Sequence, residues 1–329
     1  MASTPVDKLS RGLARQEIRR LTRVSCREDG TPRFITEAFN VFDKALGKDK
    51  GKSKRLTEQA VKMISKKISG LTREIGTVAS KTEPLVVTGV NQPLSFETGL
   101  YFQPFDITLR PNEEEEKVFD ENLIELRYFR YHIGRRRQII DDIATGFSIN
   151  EHALARMIER KACNDNPLSC IIDNIDRFIA YAVLFIRCED TPIDKLMMPL
   201  GAGALMSITM TSRREDTILH ACRRVLFDWT GNGFLPSPIP YALSDGPNLY
   251  SIRASTYVPD SLMTLDQRWC KAALAALLRD HNARIPDLIR VVTHPEEMTR
   301  YSPEVAPVFE DMRLIVNSAF WKRAFVEGK

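Results

Sequence analysis

The chain has 329 residues, of which 43% are hydrophobic and 27% are charged, and it contains 16 glycines and 18 prolines. This composition is typical of a globular protein of two or three domains and excludes a collagen-like, low-complexity or wholly disordered chain. The net charge of +4 is uneven, because residues 1–80 carry +9 and the remainder carries −5. Such asymmetry predicts an N-terminal unit that binds a polyanion, although a solvated basic face would have the same charge.

A basic helical unit is predicted over residues 1–80. Apolar residues recur at three- and four-residue steps over 9–24 and again over 56–75, which predicts amphipathic helices. The connection between them is long and lysine-rich, so we favour a small helical bundle over a helix-turn-helix DNA reader, whose turn is short. The residues of this unit expected to contact nucleic acid are Arg19, Arg20, Lys62, Lys66 and Lys67.

Residues 81–120 have a different character. Four prolines punctuate short apolar pieces, and an acidic run follows at Glu113–Glu116. Prolines and charge runs interrupt regular structure, so we predict an irregular, acidic linker.

Strand and helix patterns alternate over residues 121–329. Short runs rich in β-branched and aromatic residues predict strands, and wide apolar stripes at helical spacing predict helices. The predicted strands cover 123–132, 196–200, 204–210, 218–227 and 249–258, and the predicted helices cover 149–162, 168–187, 260–280 and 303–325. The strands 196–200 and 204–210 flank Gly201-Ala-Gly203, which predicts a β-hairpin. The fold class is therefore α+β, with helices packed on a mainly antiparallel sheet and further helices at the C-terminus.

The predicted helix 149–162 carries the strongest candidate for chemistry. Ser148 and Glu151 have the spacing of a capping box, which predicts the helix start. His152, Arg156 and Arg160 are four residues apart and share a face. Guanidinium groups bind phosphate oxygens and an imidazole transfers protons near neutral pH, so this row suits a phosphodiester. A solvated face of an ordinary surface helix would show the same spacing.

This segment also resembles a known family. From Ser148 to Arg160 it reads Ser-x-x-x-His-Ala-x-x-Arg-Met-x-x-Arg, which is similar to the Ser-x-His-Ala-x-x-Arg-x-x-x-Arg segment of some bacterial RelE/ParE-like toxin relatives. The spacing from serine to histidine is longer here. The resemblance implies helices packed on an antiparallel sheet and metal-independent RNA cleavage, with His152 as the proton-transfer group and Arg156 and Arg160 as phosphate clamps.

A second basic cluster surrounds the predicted strand 123–132. Aromatic and basic residues alternate along the strand and lead into Arg135, Arg136 and Arg137. Such interleaving can bind single-stranded nucleic acid by stacking and phosphate contact. A strand with one aromatic core face and one charged face has the same pattern, and we favour that explanation for the strand itself.

The sequence offers no dinucleotide-binding glycine pattern and no cluster of ligands at metal-binding spacing, so no cofactor and no metal are expected. The six cysteines form no disulfide framework, and we interpret them as reduced core thiols of a cytoplasmic protein. The longest uncharged run, Leu196–Ser212, has 17 residues and contains a proline, whereas a membrane-spanning helix needs about 20 apolar residues.

Two functions are consistent with these observations. The first is a bacterial-type, nucleic-acid-associated cytoplasmic protein, with RNA more probable than DNA as the ligand and ribonuclease activity of toxin-like ancestry as an extension. The second is a non-catalytic assembly protein whose basic helices dock an acidic protein partner, with homo-oligomerisation as a further expectation.

Overall fold

A computed structural model describes the chain over most of its C-terminal two thirds and over one N-terminal helix. The described residues are 6–25, 40, 66, 95–109, 119–133, 137–163, 167–188, 193–213, 223–228, 235–238, 243–245, 248–293 and 298–326.

The described strands form one mixed sheet. They are β1 (Ser95–Leu109), β2 (Phe119–Ile133), β3 (Arg137–Asn150), β4 (Lys195–Leu200), β5 (Gly203–Arg213), β6 (Arg223–Asp228), β7 (Leu235–Pro238), β8 (Ser244–Asp245) and β9 (Asn248–Pro259). The main order is β1-β2-β3-β9-β5-β4, with β6 pairing β3 and β7, and β8 pairing β9. The described pairings are antiparallel except between β3 and β9, where Phe147–Ile149 runs parallel to Ile252–Ala254.

Helices precede, interrupt and follow this sheet. They are α1 (Lys8–Ser25), α2 (Glu151–Glu159), α3 (Pro167–Asp173), α4 (Ile175–Arg187), α5 (Leu265–Asp280), α6 (Ile285–Thr293), α7 (Met298–Val316) and α8 (Ala319–Trp321). The predicted α+β class with a mainly antiparallel sheet and C-terminal helices is therefore confirmed. The predicted helix 168–187 is broken at Asn174, and α6 was not predicted.

The core is centred on α4. This helix is apolar on nearly all sides, and ten of its residues are buried, as expected for a helix enclosed by other elements. Phe178 stacks on Phe147 of β3 with ring centroids 5.3 Å apart. The buried Tyr181 hydroxyl donates a hydrogen bond to the Leu274 carbonyl of α5 at 3.0 Å. Sheet and C-terminal helices are thus joined through one helix.

The predicted hairpin between β4 and β5 is also confirmed. Gly201, in the two-residue turn, has φ of +55°, a conformation that side chains other than glycine rarely adopt. Gly203 lies so close to the Tyr257 ring of β9 that a Cβ there would be 2.4 Å from the hydroxyl oxygen. Glycine is therefore required at position 201 by the backbone conformation of the turn and at position 203 by the close packing of β5 against β9.

The expectation of an irregular segment over 81–120 does not hold for Ser95–Leu109, which forms β1 and pairs with β2 along its whole length. Pro104 lies inside this strand, opposite Ile124. Among the described strands β1 pairs only with β2, so its other edge has no ladder bond that a proline would remove.

The prediction of reduced cysteines is wrong for one pair. Cys163 and Cys170 form a disulfide, with their Cα atoms 6.4 Å apart. Cys188 and Cys270 are buried and belong to no disulfide, as expected for core thiols. Because disulfides are rare in the cytoplasm, the cysteine content no longer supports a cytoplasmic location, which stays a prediction.

Candidate nucleic-acid interface

Helix α1 packs against α2 and is anchored at its N-terminus by Asp7. The Asp7 carboxylate accepts hydrogen bonds from the Ser10 amide at 2.8 Å and the Ser10 hydroxyl at 2.6 Å. These bonds, the hydroxyl's first, lower the pKa of the Asp7 carboxyl, because they favour the ionised form. Asp7 therefore acts as the N-cap that fixes where α1 begins.

One side of α1 presents a row of guanidinium groups. Arg11, Arg15 and Arg19 are exposed and four residues apart, so they share one side of the helix, which we call the arginine face. Arg15 donates to the Glu151 carboxylate of α2 at 2.9 Å. Neither Arg11 nor Arg19 has an ion-pair partner within the described part of the chain. Two exposed cations on this face are thus available to an anion from outside.

A groove lies beside the arginine face, at the start of α2. It encloses about 280 Å³ and is lined by Arg15, Ile18, Arg19 and Glu151, and we call it the α1–α2 groove. Two guanidinium groups, one apolar side chain and one carboxylate suit a ligand with a negative backbone and a flat apolar part. The neighbouring Arg20 is exposed and pairs with Glu17 at 3.0 Å.

The start of α2 differs from the predicted one. The N-cap is Asn150, whose side-chain oxygen accepts a hydrogen bond from the Ala153 amide at 2.7 Å. Ser148 does not cap the helix, because it still belongs to β3 and lies opposite Arg253 of β9. The predicted Ser148–Glu151 capping box is therefore wrong by two residues, since pairing with β9 extends the strand.

The three predicted catalytic residues lie in different environments. His152 is half-buried in the first turn of α2. Arg156 is 4% exposed and forms an ion pair with Glu159. Arg160 lies just past the helix end and donates to the Tyr257 carbonyl of β9, and burial lowers the pKa of its guanidinium. The expectation that the two arginines form an exposed row with His152 is therefore not met, because both hold the chain together.

The other predicted contact residues are only partly described. Arg19 and Arg20 are exposed on α1, and Lys66 is exposed. Arg137 is the first residue of β3 and lies opposite Asp228 of β6. Lys62, Lys67, Arg135 and Arg136 lie outside the described residues.

Sequence reasoning missed a buried charge cluster on β2 and β3. The Arg127 guanidinium donates to Asp142 at 2.8 Å and to Glu125 at 2.8 Å, and the three side chains are at most 2% exposed. They lie at a register shift between the two strands. Alternation of Leu123, Glu125 and Arg127 on one strand face is the available signal, but the sequence analysis predicts an aromatic core face and a charged face for this strand and no buried charges. With no exposed surface, the cluster serves strand pairing and not ligand contact.

Comparison with protein-family models, curated proteins and solved structures finds no match to this chain. The resemblance to RelE/ParE-like toxins accordingly stays a prediction. Among the described residues, no group of three or more histidine, cysteine, aspartate or glutamate side chains is arranged to hold a metal ion. No described helix combines the length and the apolar character needed to cross a membrane.

Proposed function

We propose that the protein binds nucleic acid through the arginine face of α1 and the adjacent α1–α2 groove. The observation that carries this proposal is the pair Arg11 and Arg19, two exposed guanidinium groups without an ion-pair partner in the described chain. They flank Arg15 within a segment of net charge +9. Phosphate contacts by such groups supply most of the affinity of sequence-independent binding.

The spacing of the arginines supports a polymer as the ligand. Residues four apart on a helix are separated by about 6 Å along its axis, so Arg11, Arg15 and Arg19 form a linear row. A single inorganic anion would use one or two of them, whereas a phosphodiester backbone offers a matching row of charges. An apolar contact at Ile18 adds a surface for a sugar or a base.

The test uses the full chain and two labelled probes, a mixed-sequence single-stranded RNA and a duplex DNA, at several salt concentrations. The variant is Arg11→Gln/Arg19→Gln, and its matched control is Arg268→Gln/Arg279→Gln, which removes the same charge from exposed positions on α5. Binding should weaken only in the first variant. The slope of log affinity against log salt concentration should become less steep by roughly 1.4 to 1.8, since each of the two lost phosphate contacts contributes about 0.7 to 0.9. Equal losses of affinity in both variants would mean that binding depends on net charge in general and not on the arginine face.

Cleavage of RNA is the second candidate function, with His152 as the proposed proton-transfer group. This half-buried histidine directly follows Glu151, which lines the groove. In this mechanism His152 would accept the proton of the attacking 2′-hydroxyl, and Arg15 and Arg19 would stabilise the phosphate charge in place of Arg156 and Arg160.

The cleavage test measures RNA degradation in EDTA by the parent protein, by His152→Ala and by His281→Ala. His281 is the control; it follows the last residue of α5, and its ring pairs with Asp311 at 2.7 Å. Cleavage should disappear only in His152→Ala. Unchanged cleavage in that variant would remove His152 from any catalytic role.

An acidic protein partner could also occupy the arginine face. Leu9 and Leu13 on α1 are 72% and 41% exposed, so a protein partner would bury apolar surface as well as pair charges. Such a complex would respond weakly to salt, in contrast to nucleic acid. A failure of both probes to bind at low salt would therefore favour a protein partner.

A further inference from the structure

The Cys163–Cys170 disulfide is the one covalent crosslink in the described structure, and it lies just past the end of α2, the helix whose first residue lines the α1–α2 groove. It joins the segment after α2 to α3. Both cysteines are half-buried, so a reductant can approach them, whereas Cys188 and Cys270 are buried. Burial also raises the pKa of the Cys270 thiol to about 11, which makes it unreactive at neutral pH.

The segment that carries Cys163 is tied to the end of α2. The Arg160 amide donates to the Arg156 carbonyl, and the Ala162 amide donates to the Met157 carbonyl at 2.9 Å. Between them, Lys161 adopts φ of +50°, in the left-handed region that such a residue seldom occupies. Ala162 also lies against the turn of the β4–β5 hairpin, where a Cβ on Gly201 would be 3.0 Å from its carbonyl oxygen. A crosslink at Cys163 therefore restrains the last turn of α2.

The last turn of α2 is in turn bonded to α1. Glu159 accepts a hydrogen bond from the Asp7 amide at 3.3 Å, and the same carboxylate pairs with Arg156. At the other end of α2, Glu151 pairs with Arg15 of the arginine face. Both ends of α2 are thus bonded to α1. A change in the conformational order of α2 therefore also changes the α1–α2 groove.

We infer that the Cys163–Cys170 disulfide is a reversible redox switch that orders α2 and so controls the affinity of the α1–α2 groove for its ligand. This inference rests on the proposed nucleic-acid binding for its functional readout. The reductant is an external dithiol. One of its thiolates attacks a chain sulfur and forms a mixed disulfide, and its second thiol then displaces the remaining chain thiol. The chain gains two electrons and two protons as two thiols, and the dithiol becomes a disulfide.

The oxidised form is the tighter binder in this scheme. A crosslinked α2 presents Glu151 and the groove in one arrangement, so less conformational freedom is lost when a ligand binds. We expect reduction to weaken binding of single-stranded RNA by about fivefold or more, the lower range of common coupling between two sites.

The experiment compares the full chain before and after treatment with a dithiol reductant. Mass spectrometry maps the Cys163–Cys170 linkage, hydrogen exchange reports the protection of amides in α2, and the labelled RNA reports affinity. Cys163→Ser/Cys170→Ser should behave as the reduced protein does and show no response to the reductant. Cys188→Ala is the control and should respond as the parent does.

The switch is supported if the oxidised protein binds RNA more tightly than the reduced protein and exchanges its α2 amides more slowly. Absence of the 163–170 linkage in the oxidised protein would overturn it, as would equal exchange in both forms or a response that persists in the double serine variant. If neither form binds RNA or DNA while exchange in α2 still changes, the nucleic-acid proposal falls and the redox control of α2 stands. The reduced parent protein answers the same question if the double variant does not fold.

Discussion

Arg127 in the sheet is 1% exposed and bonds two carboxylates, whereas Arg19 on α1 is exposed and has no ion-pair partner among the described residues. Both belong to basic clusters of the sequence, but only Arg19 was predicted to contact nucleic acid. Their environments give them opposite roles. A buried guanidinium between two carboxylates holds strands together, and an exposed one is free to meet an anion from outside.

Arg156 and Arg160 on the α2 side belong with Arg127 in this comparison. Each bonds an acceptor of the chain itself, Glu159 and the Tyr257 carbonyl respectively. A phosphate could recruit either of them only by displacing that acceptor. The recognition that we propose therefore depends on α1, and Arg156 and Arg160 mainly position α2.

The largest effect is expected from Arg127→Met. Without the guanidinium, the Glu125 and Asp142 carboxylates lose their shared cation while they remain buried, so the free energy of unfolding should fall by about 3–5 kcal/mol. Urea unfolding measures the change. Arg268→Met, at an exposed position, is the control and should stay within about 0.5 kcal/mol of the parent. If Arg127→Met lowers the free energy of unfolding no more than the control does, buried and exposed arginines do not differ in their contribution to stability.

A smaller effect is expected at the start of α2, where Asn150 and not Ser148 is the N-cap. Asn150→Ala removes the 2.7 Å bond to the Ala153 amide and should cost about 1 kcal/mol. Ser148→Ala removes only a 3.4 Å contact to the Ile252 carbonyl and should cost less. Thermal unfolding of both variants ranks the two positions. The opposite ranking would restore the predicted capping box at Ser148 and displace the helix start that positions Glu151.

Much of the fold could be predicted because local patterns and tertiary packing agree there. Two apolar runs around a glycine-containing turn predicted the β4–β5 hairpin, and the wide apolar stripe predicted α4. At β1 the local pattern and the tertiary packing disagree. Pro104 argues against a strand by local rules, but it is compatible with an edge position, and edge position depends on the order of strands in the sheet.

The candidate site was harder to predict for the same reason. Helical spacing places Arg11, Arg15 and Arg19 on one side of α1, because the helix is continuous over Lys8–Ser25. Spacing could not distinguish Arg156 from Arg19, because burial depends on what packs against the helix. The Cys163–Cys170 pairing likewise requires α2 and α3 to be placed side by side, which no local pattern specifies.

The smallest effect is expected at Asp7, the exposed cap of α1. Hydrogen bonds from Ser10 lower its pKa in the folded state below the ordinary value of an aspartate carboxyl. The ionised cap therefore stabilises the protein above the unfolded pKa, and this contribution is lost as the pH falls through the folded pKa. Asp7→Asn keeps a capping oxygen but removes the titration. The difference in unfolding free energy between parent and variant should be constant above about pH 5 and decline below it. A difference that does not change with pH would mean that the carboxylate charge contributes nothing to α1, and the arginine face would then rest on its packing against α2 alone.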